Sequence, residues 1–211
     1  MATVLHYLQY FLGRLFYPIR SHDSRQFIYS PAFESIPKPN MTILCDQCGP
    51  SGSKLLLQHT SLADDGSGSI PELTWSPPHV TEPVKEYILM CEDIDVPIPF
   101  TAIHHGFFWG INPQHTSVTP LETSVSKDSL KCQTTSAWRY VPNLRGKPYT
   151  GASPVLGHGR HRYVYTVIAL KENLIFDHPD KVVKSDIKKA IVGKVIGWGQ
   201  WVGEFERPWP Y

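Results

Sequence analysis

The stretch "LGHGRHRYVYTVIAL", residues 156–170, sets two histidines, two arginines and a tyrosine between two glycines and an apolar run. A short run of β-branched and aromatic residues bounded by glycine reads as a buried strand. Alternation then places His161 and Tyr163 on one face of it. Charged residues make up only 18% of the chain. So much donor capacity at the mouth of a buried strand therefore reads as one wall of a small anion-binding pocket.

Working outward, the chain reads mostly as strands separated by turn chemistry. The spacing predicts MTIL (41–44), KLLLQHT (54–60), LTWS (73–76), EYILMCED (86–93), GFFWGIN (106–112) and HRYVYTVIAL (161–170), each bounded by Gly, Pro, Asp or Ser. The 19 prolines and 15 glycines fall largely between these runs. Leu5, Leu8, Leu12 and Leu15 recur at helical spacing until Pro18, which predicts an amphipathic N-terminal helix. A second helix is expected over SDIKKAIVGKVIGWGQW (185–201), opening on Ser185 as N-cap. Residues 114–148 are polar and irregular, as in a surface insertion. The fold expected is mainly β, an antiparallel sheet with a helix at each end. Residues 1–40 form a helix and extended arm packed on one domain, 41–211.

Composition narrows the function. Twenty Lys and Arg against 19 Asp and Glu give no long-range field for nucleic acid. At 211 residues the chain can bury about 70% of its unfolded surface without staples. Cys45, Cys48, Cys91 and Cys132 are too few and scattered for a disulfide scaffold, so a reducing, cytoplasmic setting is expected. The pair Cys45 and Cys48 lies at a strand-to-turn junction, without the helix start of a redox motif or two further zinc ligands. The N-terminal helix contains no acidic residue, which keeps a targeting or membrane-surface role open beside docking on the domain. It lacks the roughly 20 apolar residues of a membrane span.

In "CEDIDVPIPFTAIHHGFFWGI" (91–111) an apolar strand ends in Asp93 and Asp95, followed by Pro97, and a histidine pair, His104 and His105, opens the next strand. Asp93 and Asp95 share a face by alternation, while His104 and His105 are expected on opposite faces. Turn chemistry alone explains an Asp-x-Asp-x-Pro segment. Beside that reading, this segment, the histidine strand and the strand carrying His161 and Tyr163 are candidates to meet at one pocket.

The segments PELTWS (71–76), YILMCEDIDVP (87–97), HHGFFWGINP (104–113) and YTGASPVLGHGRHRYVYTVIAL (149–170) resemble, in order and spacing, the motifs of the phosphatidylethanolamine-binding protein family, also called the Raf kinase inhibitor protein family. The resemblance covers roughly residues 41–205 and ends in AIVGKVIGWGQWVGEF, which looks like the terminal helix of shorter members. It implies a large antiparallel central sheet packed with a smaller sheet. It also implies a ligand-binding set of Asp93, Asp95, Pro97, His105, Gly157, His161 and Tyr163, with His105 preferred over His104 on strand spacing. Ile94, Ala152 and Val155 stand where the family motif has prolines, which alters the pocket rim. The long N-terminal helix and CGPSGSKL (48–55) look like the filamentous-fungal branch, some members of which are linked to the joining of maleic anhydride units into maleidride rings.

Chemically, two imidazoles and a phenol supply donors, and a carboxylate fixes a histidine tautomer. His158 and Arg160, on the glycine-flanked loop, are candidates for a rim that recruits a second anionic group. Arg162 is expected to pair beneath that rim. No metal or other cofactor is expected, and no G-x-S-x-G elbow or phosphate-cradling loop is present. Three functions fit. The pocket binds a phosphorylated head group, a dicarboxylate or an anhydride. Alternatively Asp93, His105, His161 and Tyr163 act in acid–base catalysis on such a ligand in maleidride biosynthesis. In the third, the protein inhibits a protease or kinase by protein contact. A membrane surface remains a further candidate partner.

Overall fold

A computed structural model describes residues 3–126 and 130–210. Residues 127–129 of the expected insertion, residues 1 and 2 of the N-terminal arm and residue 211 lie outside them. A central six-stranded sheet runs β2(Ser53–Lys54), β9(Val195–Phe205), β8(His161–Leu170), β4(Glu86–Asp93), β5(Ile103–Ile111), β7(Arg139–Tyr140). A second sheet of three strands runs β1(Ile43–Leu44), β3(Leu73–Trp75), β6(Ser117–Val118). Pairing is antiparallel except between β2 and β9.

The central strands are buried on both faces, which is why β4 and β8 read as apolar runs. On one face Tyr87, Leu89, Cys91, Tyr165 and Val167 meet Ile43, Leu73, Trp75 and Val118 of the small sheet. On the other, Ile88, Met90, Ile168 and Leu170 meet Phe27 and Phe33 of the N-terminal arm and Ile187 and Ile191 from helix α2(Lys184–Ala190) and its C-terminal end.

Three expectations change here. The C-terminal helix is short: α2 ends at Ala190, its N-cap is Val183 rather than Ser185, and residues 195–205 form the longest strand in the sheet. Gly193, at φ +75°, turns the chain between the two. From there W-G-Q-W-V-G alternates with period 2, setting Gly197, Gly199 and Gly203 against the covering layer. KLLLQHT is a two-residue edge strand, β2, followed by a single 3₁₀ turn over Leu57–His59. Residues 114–148 are not simply a surface insertion, since Val118, Trp138 and Tyr140 belong to the core.

The N-terminal helix, α1(Val4–Phe16), forms where its periodicity places it and stops before Pro18. Its docking face is not the leucine stripe, because Leu5, Leu8, Leu12 and Leu15 are 60%, 54%, 39% and 59% exposed. Contact is made instead at Gly13, which lies directly on the backbone of Leu156 and His158, and at Tyr10, whose backbone presses on Gly157. Trp209 packs edge-on against Tyr7 and Tyr10, 4.9 and 5.2 Å between ring centres. No helix among the described residues is long and apolar enough to cross a membrane.

Candidate functional site

Three antiparallel strands bring the polar residues together at one end of the central sheet. Asp93, the last residue of β4, is paired with Tyr163 of β8 on one side and Ile103 of β5 on the other. The pairing of β4 with β5 slips between Cys91 and Glu92, so Cys91 faces Gly106 and Glu92 faces His104. His105 is the extra residue of that β-bulge. A bulge interrupts strict alternation and re-aims side chains. Both His104 and His105 therefore border the same cavity, contrary to the expectation that they face opposite ways.

The cavity holds about 240 Å³. Its floor carries Asp93, His105 and His161, and its walls carry Val96, Pro97, Ile98, Ile103, Leu144 and Val155. Arg145, Thr150 and Ser153, from the loop that crosses back from β7 toward β8, add to the lining. None of these three, nor the apolar wall of Leu144 and Val155, follows from the strand pattern. They lie on irregular chain, where no periodicity assigns a direction.

The hydrogen bonds fix much of the chemistry. His105 donates Nδ1–H to the Thr150 carbonyl at 2.9 Å, so its Nε2 is the acceptor of the neutral ring. Burial lowers its proton affinity, opposed by the nearby Asp93 charge. His105 also stands edge-on to the Tyr163 ring, 5.1 Å between centres. Tyr163 is fully buried beneath the cavity rather than lining it; its hydroxyl accepts the Ser153 N–H at 3.1 Å. Burial, with the hydrogen-bonded Asp93 carboxylate beside it, pushes the phenol far above its ordinary range. His161 is engaged on both nitrogens: Nδ1 lies 2.9 Å from Asp93, and Nε2 lies 2.7 Å from His158. His104 bonds the Pro142 carbonyl at 3.2 Å.

The remaining expected site residues lie elsewhere. Asp95 is not among the lining residues. It is fully buried and accepts from Arg162 Nε at 2.8 Å, from the Arg162 backbone and from Ser21 N–H. Burial would raise its pKa, but these donors bring it to about 2. Arg162 continues to Asp23, which ties the N-terminal arm under the rim. His158, expected on an exposed rim, is buried, because α1 covers it. Arg160 faces a different cleft beside Arg14, Tyr17 and Lys54 and pairs with Glu204 at 2.7 Å. Gly157, at φ +82°, packs against Tyr10 and does not reach the cavity.

All four cysteines are free thiols. Burial, with Cys48 beside it, pushes the Cys45 thiol up to about 12, so Cys45 itself is protonated near neutral pH. Among the described residues no group of three or more His, Cys, Asp or Glu is placed to hold a metal ion.

Comparison with known proteins places this geometry. Residues 47–206 match the family described as phosphatidylethanolamine-binding protein. Phomoidride biosynthesis cluster protein B from a fungal species is 38% identical over 99% of both chains. The protein of the same name from Talaromyces stipitatus is 33% identical over 99% of this chain and 85% of its own. Among solved structures, E. coli YbcL, described as a member of the mammalian PEBP family, superposes with a TM-score of 0.63 at 20% identity, covering 80% of this chain and 99% of its own.

Proposed function

The chain belongs to the phosphatidylethanolamine-binding protein family, and on that premise we propose that its cavity receives a small carboxylate- or phosphate-bearing molecule with an apolar substituent, within a fungal biosynthetic cluster. One observation carries the reading: a polar floor of Asp93, His105 and His161 under a wall of Val96, Ile98, Ile103, Leu144 and Val155, with Arg145 at the edge. A guanidinium matches a carboxylate or phosphate in two parallel hydrogen bonds. Aliphatic walls take an alkyl chain out of water at about 25 cal/mol per Å². A bare head group uses only the first of these features. An alkylated dicarboxylate, or the anhydride that forms from it, uses both. The names of the two fungal relatives support a place in such a cluster.

A second reading, acid–base catalysis on that ligand, rests on His105. It is a neutral imidazole with its acceptor nitrogen free of the Thr150 bond, half-buried at the cavity floor beside Asp93. Such a group suits removal of a proton from a carbon activated by an adjoining carbonyl.

The test is an NMR titration with phosphoethanolamine, 2,3-dimethylmaleate and its anhydride, following protein and small-molecule signals together. Shifts confined to His105, Arg145 and the apolar wall with the ligand unchanged support binding. New small-molecule signals that disappear in His105→Ala support catalysis. No response to any of the three overturns both readings.

A further inference from the structure

The hydrogen bonds that engage His161 continue through the protein to α1. His158 Nε2 lies 3.0 Å from the Phe16 carbonyl oxygen and 3.1 Å from that of Ile19. Carbonyls only accept, so this nitrogen carries hydrogen. At the other end, His161 Nδ1 lies 2.9 and 3.1 Å from the two Asp93 oxygens. Between the rings, His158 Nδ1 and His161 Nε2 are 2.7 Å apart, a contact that needs one hydrogen.

Proton counting then has few solutions. With Asp93 ionised and both rings neutral, His158 presents a bare Nδ1. If His161 carries its hydrogen on Nδ1, two bare nitrogens face each other. If it carries it on Nε2, a bare Nδ1 faces a carboxylate. Every arrangement that satisfies all three contacts holds one further proton, on His158, on His161 or on Asp93. Asp93 Oδ1 also accepts the Asp95 N–H at 2.9 Å, and the Tyr163 hydroxyl is hydrogen-bonded to the same side chain; an acceptor-only carboxylate serves all of these contacts. The extra proton thus belongs to the two rings.

We propose that Asp93, His161 and His158 form one relay holding a shared proton behind the cavity, with His158 as a positioning residue whose hydrogen bonds to the end of α1 keep that proton in place. The relay stands whatever ligand the cavity takes. Phe16 is the last residue of α1, and the C-terminal end of a helix favours a neighbouring positive charge; its carbonyl accepts the Ile19 N–H at 2.8 Å as well. Facing the relay are the Tyr163 phenol and the His105 imidazole on the cavity side and, beside His158, the Tyr17 ring and the Arg20 guanidinium. Arg20 opposes a full charge on His158 and so directs the proton toward His161. Either ring delivers it to the cavity through Asp93 or His161, both of which border the space.

The experiment is ¹⁵N NMR of the histidine side chains in the full-length protein. Expected is a through-hydrogen-bond nitrogen–nitrogen coupling between the rings of His158 and His161, and a single shared titration. Two independent titrations without coupling overturn the relay. In His158→Leu, the hydrogen bond to the charged His161 ring is removed, and the pH at which His161 loses its proton should fall by about one unit, a tenfold loss of proton affinity. A midpoint unchanged in a variant with a native backbone spectrum also overturns it. If that variant does not fold, the coupling in the unaltered protein decides.

Discussion

At the scale of single residues, the site divides into groups whose chemistry the sequence displays and groups that only the chain path delivers. Asp93 and His161 meet at the cavity, with Tyr163 beneath it, because alternation and strand pairing follow from short-range pattern, which the sequence carries; His105 joins them only through the bulge. Asp95 looks the same in sequence as Asp93, yet Arg162 and Ser21 consume its acceptors. Nothing local distinguishes the two. Arg145 carries no periodic signal, because it is held on an irregular loop. Arg145→Ala is expected to weaken binding of 2,3-dimethylmaleate by about 1.5–3 kcal/mol, the range for hydrogen bonds to charged groups, read by calorimetry. Asp95→Ala should instead cost about 3 kcal/mol of stability in urea denaturation, by stranding Arg162, and leave affinity in the folded fraction unchanged. A loss of affinity with full stability would return Asp95 to the ligand.

At the scale of elements, β4 and β8 were legible to the residue because each is a bounded run of β-formers. The longest strand was not. In "IKKAIVGKVIGW" (187–198) apolar residues recur at three- and four-residue intervals as well as two, and the helical period won. Gly193 was the available correction, since a glycine at positive φ past Ala190 ends a helix. The bulge at His105 left no trace in sequence, as bulges depend on both partners. The leucine period of α1 located the helix but pointed to the wrong face. Docking depends on Gly13, where a Cβ would overlap the Leu156 carbonyl oxygen. Gly13→Leu should release α1, seen as faster amide exchange over residues 4–20 while β4 and β8 stay protected. Unchanged exchange would mean that Trp209 and the Asp23–Arg162 pair suffice to hold the arm.

At the scale of the whole molecule, buried and half-buried histidines set the response to acid. Burial holds His59, His104 and His105 below the ordinary imidazole value of 6.5. A folded state that binds protons less readily than the unfolded chain loses stability as pH falls through the unfolded value. Decline should therefore begin near pH 6.5. Asp95 adds a second stage: its pKa is lowered from 3.8 to about 2, so its stabilisation is complete above 3.8 and is lost as pH falls toward 2. That contribution is about 2 kcal/mol. Urea midpoints measured from pH 8 to pH 3 check the sequence of events, and a flat profile between 8 and 5 would contradict it. The same scale gives the glycines of β9 a meaning of their own. A Cβ at Gly197 would press on Pro78, at Gly199 on the Met41 carbonyl oxygen, and at Gly203 on Leu55. In a saturation mutagenesis screen these three positions should tolerate almost no substitution, as tightly restricted as any ligand-binding residue, although none of them lines the cavity. Intolerance to change would there record the thickness of a packed layer, and a map of the site drawn from such a screen alone would place its centre on the wrong strand.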